Sequence, residues 1–386
     1  MASDLNGKRI AMAVTNDLVT DQRVHRACLA LAEAGAIVTL TGRHMPHSLP
    51  VQRPYKTRRL RLLFKKKAAF YAEYNFRLLI WLLRCRADLF YANDTDTLPA
   101  VFLAAWMRRK PVFFDAHEMF PEVPELVGRP RVKSFWQGLE NKLIPKLKKY
   151  PHGAACCTVC LSIANIYKER HGVSMQVVRN VPIPYNRNEI IPADIEGRNG
   201  RHLLLYQGAV NVGRGLEWLI DAMPLLDDCL MLIVGAGDIL DDIRQRVEER
   251  GVVDRVRVMG RMPMEKLKSY TVCADLGLSL LENKGLNYYY SLPNRIPDFV
   301  QANVPVLATD FPEIRREVTR YGIGTLVSDS QTNPEQLALI IRNTLKFWKQ
   351  MTLTEKEARF AKARKDLSWS HDKKVLTASV LKAFNH

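Results

Sequence analysis

The chain has 386 residues, 47% of them apolar and 25% charged, which excludes a disordered, collagen-like or coiled-coil protein and leaves room for two hydrophobic cores. Its net charge of +17 is unevenly placed, since residues 1–186 carry 29 basic and 14 acidic side chains and residues 187–386 carry 28 and 26, so the two halves are expected to meet different partners. The apolar run Leu78–Leu83 falls far short of the roughly 20 residues of a membrane span, Met1–Arg9 lacks the apolar core of a secretory signal, and an odd count of seven Cys predicts reduced cytosolic thiols.

In chain order, Arg9–Val14 reads as a short buried strand. Asp21–Ala34 sets Val24, Ala27, Cys28 and Leu31 on one helical face, and Gly35 stops that helix before a strand at Ile37–Leu40. The stretch 53–67 then carries Arg53, Lys56, Arg58, Arg59, Arg61, Lys65, Lys66 and Lys67 without an acid, and Phe70, Tyr71, Tyr74, Leu78, Ile80, Trp81 and Leu82 follow it. This composition suits docking on an anionic bilayer surface or an ordinary solvated basic face. No nucleic-acid module surrounds it, and nucleic acid is not expected as a partner.

Asp88–Ala92, a helix at Leu98–Trp106 and Val112–Phe114 continue a strand–helix–strand grammar that predicts a parallel sheet. Cys156, Cys157 and Cys160 contain one CxxC with no second pair, which predicts buried packing rather than zinc. Asn180–Asn199, with Pro182, Pro184 and Pro192, breaks elements and reads as a linker, its hinge at Val181–Asn188. From His202 the grammar restarts: strands at Leu203–Tyr206, Leu230–Val234, Val256–Met259, Asp275–Leu280, Val304–Ala308 and Gly324–Val327. Helices are expected at Leu216–Met223, Asp238–Glu249, Asn294–Gln301 and Pro334–Phe347. The fold class is therefore α/β, two doubly wound sheets over residues 1–182 and 188–368, with ligand chemistry in loops at the strands' carboxyl ends.

Several of those loops carry chemistry. Gly208 to Gly215 follows a strand and opens a helix, so helix N–H groups, Gly213 and Arg214 form either a phosphate cradle or a loop with a surface Arg. Gly235-Ala-Gly237-Asp238 begins like a dinucleotide fingerprint, but Leu240 stands where the third glycine belongs, and no nicotinamide site is expected. Asn294, Arg295 and Asp298 share one helical end; Arg295 could hold a diphosphate and Asp298 a ribose, or Asp298 is a first-turn acid favoured by the helix dipole. Asp115-Ala-His117-Glu118 ends a strand, and His117 is a donor to a bound phosphate or sugar or a structural hydrogen-bonding group. Asp94-Thr95-Asp96 has the spacing of a metal-binding pair, but its place before a helix favours capping or acceptor contact. No metal site is assigned.

Together these segments resemble the GT-B glycosyltransferases of retaining family four. The resemblance is carried by Asn16-Asp17 with Asp21-Gln-Arg23-Val24, Asp115 to Glu118, Val178 to Val181, Gly208 to Gly215, Val234 to Asp238, and Leu292 to Asp298 leading to Val304–Leu307. It implies two Rossmann-like domains facing an interdomain cleft, the second binding a nucleotide-sugar donor and the first offering an acceptor, and a final helix, here 369–386, returning to the first. It assigns donor binding to Gly213, Arg214, Asn294, Arg295 and Asp298, and a catalytic place beside the transferred sugar to His117. Asp21, Arg23, Asp94 and Glu118 fall in acceptor-side or cleft loops. Two positions depart from the family pattern. Ala209 follows Gly208 where a second basic residue is usual, with Arg261 or Arg295 as substitutes, and fifteen residues separate Glu282 from Asp298 where the family has seven, which weakens Glu282 as catalytic acid.

The expected activity is sugar transfer from a nucleoside-diphosphate sugar, a substrate and not a cofactor, to a hydroxyl of a glycan or lipid-linked glycan in cell-surface polysaccharide synthesis. No cofactor is called for. The expected setting is cytoplasmic, peripheral on the inner membrane face. The rival readings are a sugar-nucleotide epimerase or phosphorylase on the same fold, and a non-catalytic nucleotide-sugar or anionic-surface binding protein.

Overall fold

Short apolar runs alternate with amphipathic segments along most of the chain, and the structure converts them into two parallel sheets. The computed structural model describes residues 5–385 apart from residues 20, 47, 124, 125 and 127. The chain divides into two units, Met1–Asn180 with Asp372–His386, and Val181–His371.

The first unit runs β1 (Arg9–Ala13), α1 (Gln22–Glu33), β2 (Ile37–Arg43), β3 (Lys56–Leu60), α2 (Lys67–Arg84), β4 (Leu89–Asn93), α3 (Leu98–Arg108) and β5 (Val112–Ala116). It continues through α4 (Pro130–Leu147), β6 (Ala154–Thr158), α5 (Leu161–His171) and β7 (Gln176–Val177). Its seven strands pair in parallel in the order β3-β2-β1-β4-β5-β6-β7. Every residue of β4 and β5 is buried, as a parallel sheet covered on both faces requires. The strand order reverses between β1 and β4, which opens a crevice at their carboxyl ends.

The second unit runs β8 (His202–Gln207), α6 (Leu216–Ala222), β9 (Cys229–Val234), α7 (Leu240–Glu249), β10 (Val256–Gly260), α8 (Met264–Thr271), β11 (Leu276–Ser279), α9 (Leu286–Tyr289) and α10 (Arg295–Gln301). It closes with β12 (Val306–Thr309), α11 (Pro312–Tyr321), β13 (Gly324–Val327), α12 (Pro334–Gln350) and α13 (Leu353–Asp366). Six strands pair in parallel in the order β10-β9-β8-β11-β12-β13, reversing between β8 and β11. Alternation along β8 sends Leu204 and Tyr206 into one core cluster and Leu203 and Leu205 into another. The last helix, α14 (Trp369–Phe384), rejoins the first unit from Asp372 onward.

The basic stretch and the aromatic segment after it form a strand and a helix, and part of the aromatic segment packs inward. Residues 56–60 of the basic stretch form β3, an edge strand whose first three side chains are exposed, so no apolar alternation announced it. The aromatic segment after it is α2, and its Phe70, Tyr74, Leu78 and Leu82 are buried at helical spacing. Tyr74 is fully buried, its hydroxyl donating to the Val14 carbonyl, and Trp81 lies under the Arg58 guanidinium, 4.2 Å from ring centroid to Cζ. The exposed apolar side chains here are Leu63, Phe64 and Phe76. Cys156, Cys157 and Cys160 are buried free thiols, consistent with packing.

Candidate functional site

In the second unit, β8 ends at Gln207 and the chain turns through Gly208 toward α6. This loop lies against the one after β9: the Val210 N–H donates to the Ala236 carbonyl at 3.1 Å and the Asp238 N–H to Asn211 Oδ1 at 3.2 Å. A Cβ on Gly235 would stand 1.7 Å from the Gly208 carbonyl oxygen, and one on Gly237 would stand 2.2 Å from that of Val210. The two glycines of the incomplete fingerprint therefore serve the close approach of two loops.

Arg214 and Arg295 come together at these loops. The Arg214 guanidinium stacks on Tyr288, 4.6 Å from its ring centroid, and its buried Nε has no hydrogen-bond partner among the described residues. Arg295, the first residue of α10 and 6% exposed, stacks on Tyr206 at 4.1 Å, and its Nη1 is likewise unpartnered. Burial lowers the Arg295 pKa from its ordinary value, and the like charge of Arg214 adds to that effect. Neither guanidinium forms an ion pair among the described residues, although most Arg side chains near an acid in this molecule do. Two neighbouring, largely desolvated cations without an ion-pair partner among the described residues are an arrangement that could hold an anion. Arg295 also lies beside Gly208, where Ala209 leaves the second basic residue missing, whereas Arg261 is exposed.

Asp298 sits one turn into α10 and accepts from Gln207 Nε2 at 3.5 Å; Gln207 Oε1 in turn accepts from Thr271 Oγ1 at 2.9 Å. Burial and the Asp298 carboxylate push the Tyr185 hydroxyl up to about 12. Gly213 has φ +80°, and a Cβ there would meet Lys284 Cγ at 2.9 Å and Tyr288 Cε2 at 3.1 Å. Glu282 donates its N–H to the Gly213 carbonyl at 3.0 Å while its carboxylate holds Lys284 Nζ at 2.8 Å. Asn294 is exposed at the N-cap of α10 with no side-chain cap bond.

In the first unit, His117 follows β5 with Asp94 on one side and Asp115 on the other. Its Nδ1 is 3.2 Å from Asp94 Oδ2, its Nε2 is 3.3 Å from Asp115 Oδ2 without hydrogen-bond alignment, and its backbone N–H donates to Asp94 Oδ1 at 2.7 Å. Burial disfavours the imidazolium, but Asp94 and then Asp115 outweigh it and raise the pKa to about 10. The two flanking carboxylates thus favour the protonated imidazole. Asp94, at φ +63°, takes the acceptor role and not a capping one; the N-cap of α3 is Thr97.

Asp96 is 5% exposed and accepts from Thr15 Oγ1 at 2.5 Å, across the crevice between β1 and β4. Burial and the neighbouring Asp94 charge push it up to about 8. A cavity of about 790 Å³ opens here, with Thr15, Asp94, Asp96 and Glu118 among its lining residues. Two acceptor-side candidates are used otherwise. Arg23 is buried, donating to Asp115 Oδ1 at 2.7 Å and to the Val178 carbonyl at 2.9 Å, and Asp21 caps α1 by accepting from the Val24 N–H at 3.0 Å. Sequence reasoning missed Thr15, Gln207, Tyr206 and Tyr288. Gln207 was findable as the polar residue that ends an apolar strand just before a glycine loop.

Residues 21–185 match the family described as Glycosyltransferase Family 4, and residues 201–346 match Glycosyl transferases group 1. The chain is a glycosyltransferase. Among curated proteins, this glycosyltransferase is 28% identical over 123 residues to the chitobiosyldiphosphodolichol beta-mannosyltransferase of Candida albicans, a match spanning 30% of this chain and 26% of that protein. Its structure resembles sucrose-phosphate synthase from Thermosynechococcus elongatus, with a TM-score of 0.74, 17% identity and coverage of 98% of this chain and 99% of the other. It also resembles Anabaena HepE in complex with UDP-glucose, with a TM-score of 0.67, 13% identity and coverage of 96% and 99%. The glycosyltransferase has the GT-B fold, two Rossmann-like parallel-sheet domains.

Proposed function

We propose that this glycosyltransferase transfers a sugar, with retention and without a metal ion, from a nucleoside diphosphate to a hydroxyl of a glycan or lipid-linked glycan, working at the inner face of the membrane in cell-surface polysaccharide synthesis. The observation that carries the donor assignment is the pair Arg214 and Arg295, neither in an ion pair among the described residues and each with one buried nitrogen lacking a hydrogen-bond partner there, with Asp298 on the same helix as Arg295. A diphosphate supplies the charge that pair lacks, and a ribose diol supplies two donors to the Asp298 carboxylate. The relative from Candida is named for mannosyl transfer to chitobiosyldiphosphodolichol, and HepE was solved with UDP-glucose; the first name favours a lipid-linked acceptor here and the second a nucleotide-sugar donor.

As the bond from the anomeric carbon to the phosphate oxygen breaks, negative charge grows on the leaving phosphate, where fixed guanidiniums and helix N–H groups stabilise it. The acceptor oxygen bonds the anomeric carbon on the face the phosphate leaves. Its proton passes to a phosphate oxygen, so the nucleoside diphosphate departs protonated and the linkage keeps its configuration. His117, its ring nitrogens turned to Asp94 and Asp115, holds the Asp94 carboxylate in place as an acceptor for a sugar hydroxyl. Glu282 is engaged by Lys284 and is given no proton-transfer role.

The test has two parts. Calorimetry with UDP and with uridine should show Arg214→Ala losing affinity for the diphosphate and sparing the nucleoside; an equal loss for both rejects the phosphate assignment. Product NMR, after a thermal-shift panel of nucleoside-diphosphate sugars has chosen the donor, should show the donor's anomeric configuration, and inversion rejects retention.

A further inference from the structure

The cavity of the first unit has further lining residues that the donor chemistry does not use. Besides its acids it is lined by Arg43, Arg61, Lys65, Lys66 and Lys67. None of these five cations forms an ion pair among the described residues, whereas nearby cations do: Arg77 holds Glu73, and Lys133 and Arg170 share Glu122. Glu73, the acid of α2 closest in sequence to the lysines, is unavailable to them. It accepts from the backbone N–H groups of Leu63 and Phe64 and from Arg77 Nε, and by doing so fixes the loop that presents Lys65–Lys67. α2, 18 residues long, starts at Lys67 with no side-chain cap and no acid in its first turn, so its free N–H groups and dipole reinforce the same positive field. The volume, about 790 Å³, suits a ligand larger than one ion, since small-molecule pockets span about 300–1,000 Å³.

We infer that these basic residues bind a phosphate or diphosphate carried by the acceptor, so that the acceptor is a phosphate-linked saccharide whose hydroxyls face Asp94, Asp96 and Glu118. The inference rests on the glycosyltransferase reading above and names the acceptor class for it. One polar chemistry fits each set of lining side chains: ammonium and guanidinium groups with phosphate oxygens, carboxylates with sugar hydroxyls. The phosphate has two possible sources, a lipid anchor or a soluble sugar phosphate. Phe64 lines the cavity and is 54% exposed, beside Leu63 at 78%, which places apolar surface where a lipid chain would leave.

Titration calorimetry of the full chain, its donor loops saturated with UDP, measures inorganic pyrophosphate binding to the wild type, to K65Q/K66Q/K67Q, and to K146Q/K148Q/K149Q, which removes the same charge from the surface at the end of α4. All six lysines are exposed, so both variants are expected to fold. The cavity variant should bind pyrophosphate on the order of tenfold more weakly, the control should match wild type, and UDP affinity should be the same in all three. An unchanged cavity variant, or equal losses in both triples, overturns the proposal. A failure of the donor reading is seen separately, as Arg214→Ala leaving UDP affinity unchanged. Farnesyl diphosphate replaces pyrophosphate to identify the source: tighter binding that Leu63→Ser with Phe64→Ser abolishes assigns a lipid-linked acceptor, and equal affinity assigns a soluble one.

Discussion

Arg214 and Arg295 each keep a buried nitrogen without a hydrogen-bond partner among the described residues, and the donor proposal rests on that pair with Asp298 nearby. Asp298→Ala is expected to weaken nucleotide-sugar binding by about 1.5–3 kcal/mol for each hydroxyl hydrogen bond lost, with little change in the melting temperature; unchanged donor affinity in calorimetry rejects the ribose assignment. His117 carries a pH signature. A histidine whose folded pKa is raised contributes stability that is complete below its unfolded value near 6.5 and is lost as pH rises toward about 10. His117→Gln should therefore flatten the fall in stability between pH 7 and 10, by on the order of 1–3 kcal/mol, and parallel melting curves for the two proteins across that range would contradict it. The donor residues were legible because strand, glycine loop and helix start are local patterns. Arg23 was not read correctly, although its position four before Ala27 on the buried face of α1 marks it as an inward cation, whose partner Asp115 lies 92 residues on. Tyr206 and Tyr288 meet Arg295 and Arg214 by spatial convergence, which spacing along the chain does not reveal.

Among elements, most sheet-core strands could be read from sequence because parallel strands buried on both faces are continuous apolar runs. β3 could not, having Leu60 as its one apolar residue, and α4 hides behind Gly138 and Pro145 within its span. α2 mixes both lessons, since its aromatic content suggested a surface while its i, i+4 stripe is core. The same logic makes α14 a structural part of the first unit. Asp372, in its first turn and 1% exposed, accepts from the Arg179 backbone N–H at 2.6 Å and from its Nη2 at 2.7 Å, and Leu376, Val380 and Ala383 are fully buried. Asp372→Ala leaves a largely buried guanidinium without its carboxylate and is expected to cost about 3–5 kcal/mol. Urea denaturation measures this, and a loss below about 1 kcal/mol would show that other acceptors replace Asp372.

At the scale of the whole molecule, the +17 charge is concentrated in the first half of the chain, and Lys65, Lys66 and Lys67 at the start of α2 belong to it without an ion pair among the described residues. Co-sedimentation with anionic vesicles should fall as salt shortens the screening length from about 8 Å and should be weaker for K65Q/K66Q/K67Q; any contact that persists at high salt is expected from Leu63, Phe64 or Phe76. Equal pelleting of wild type and variant would remove these lysines from membrane contact. Turnover should survive EDTA, because the groups assigned to the leaving phosphate are guanidiniums and helix N–H groups; loss in EDTA restored by manganese would return Asp94 and Asp96 as ligands. The return of α14 has a consequence for how the protein is made. Because the first unit resumes at Asp372, a ribosome delivers the whole second unit before the first can close. Until then Arg179 waits without its carboxylate and the hydrophobic seat of Leu376 and Val380 stays open. Domains usually fold in order of synthesis, but here the unit begun first is finished last, so a nascent chain stalled before residue 372 should carry a protease-resistant second unit and a protease-sensitive first one.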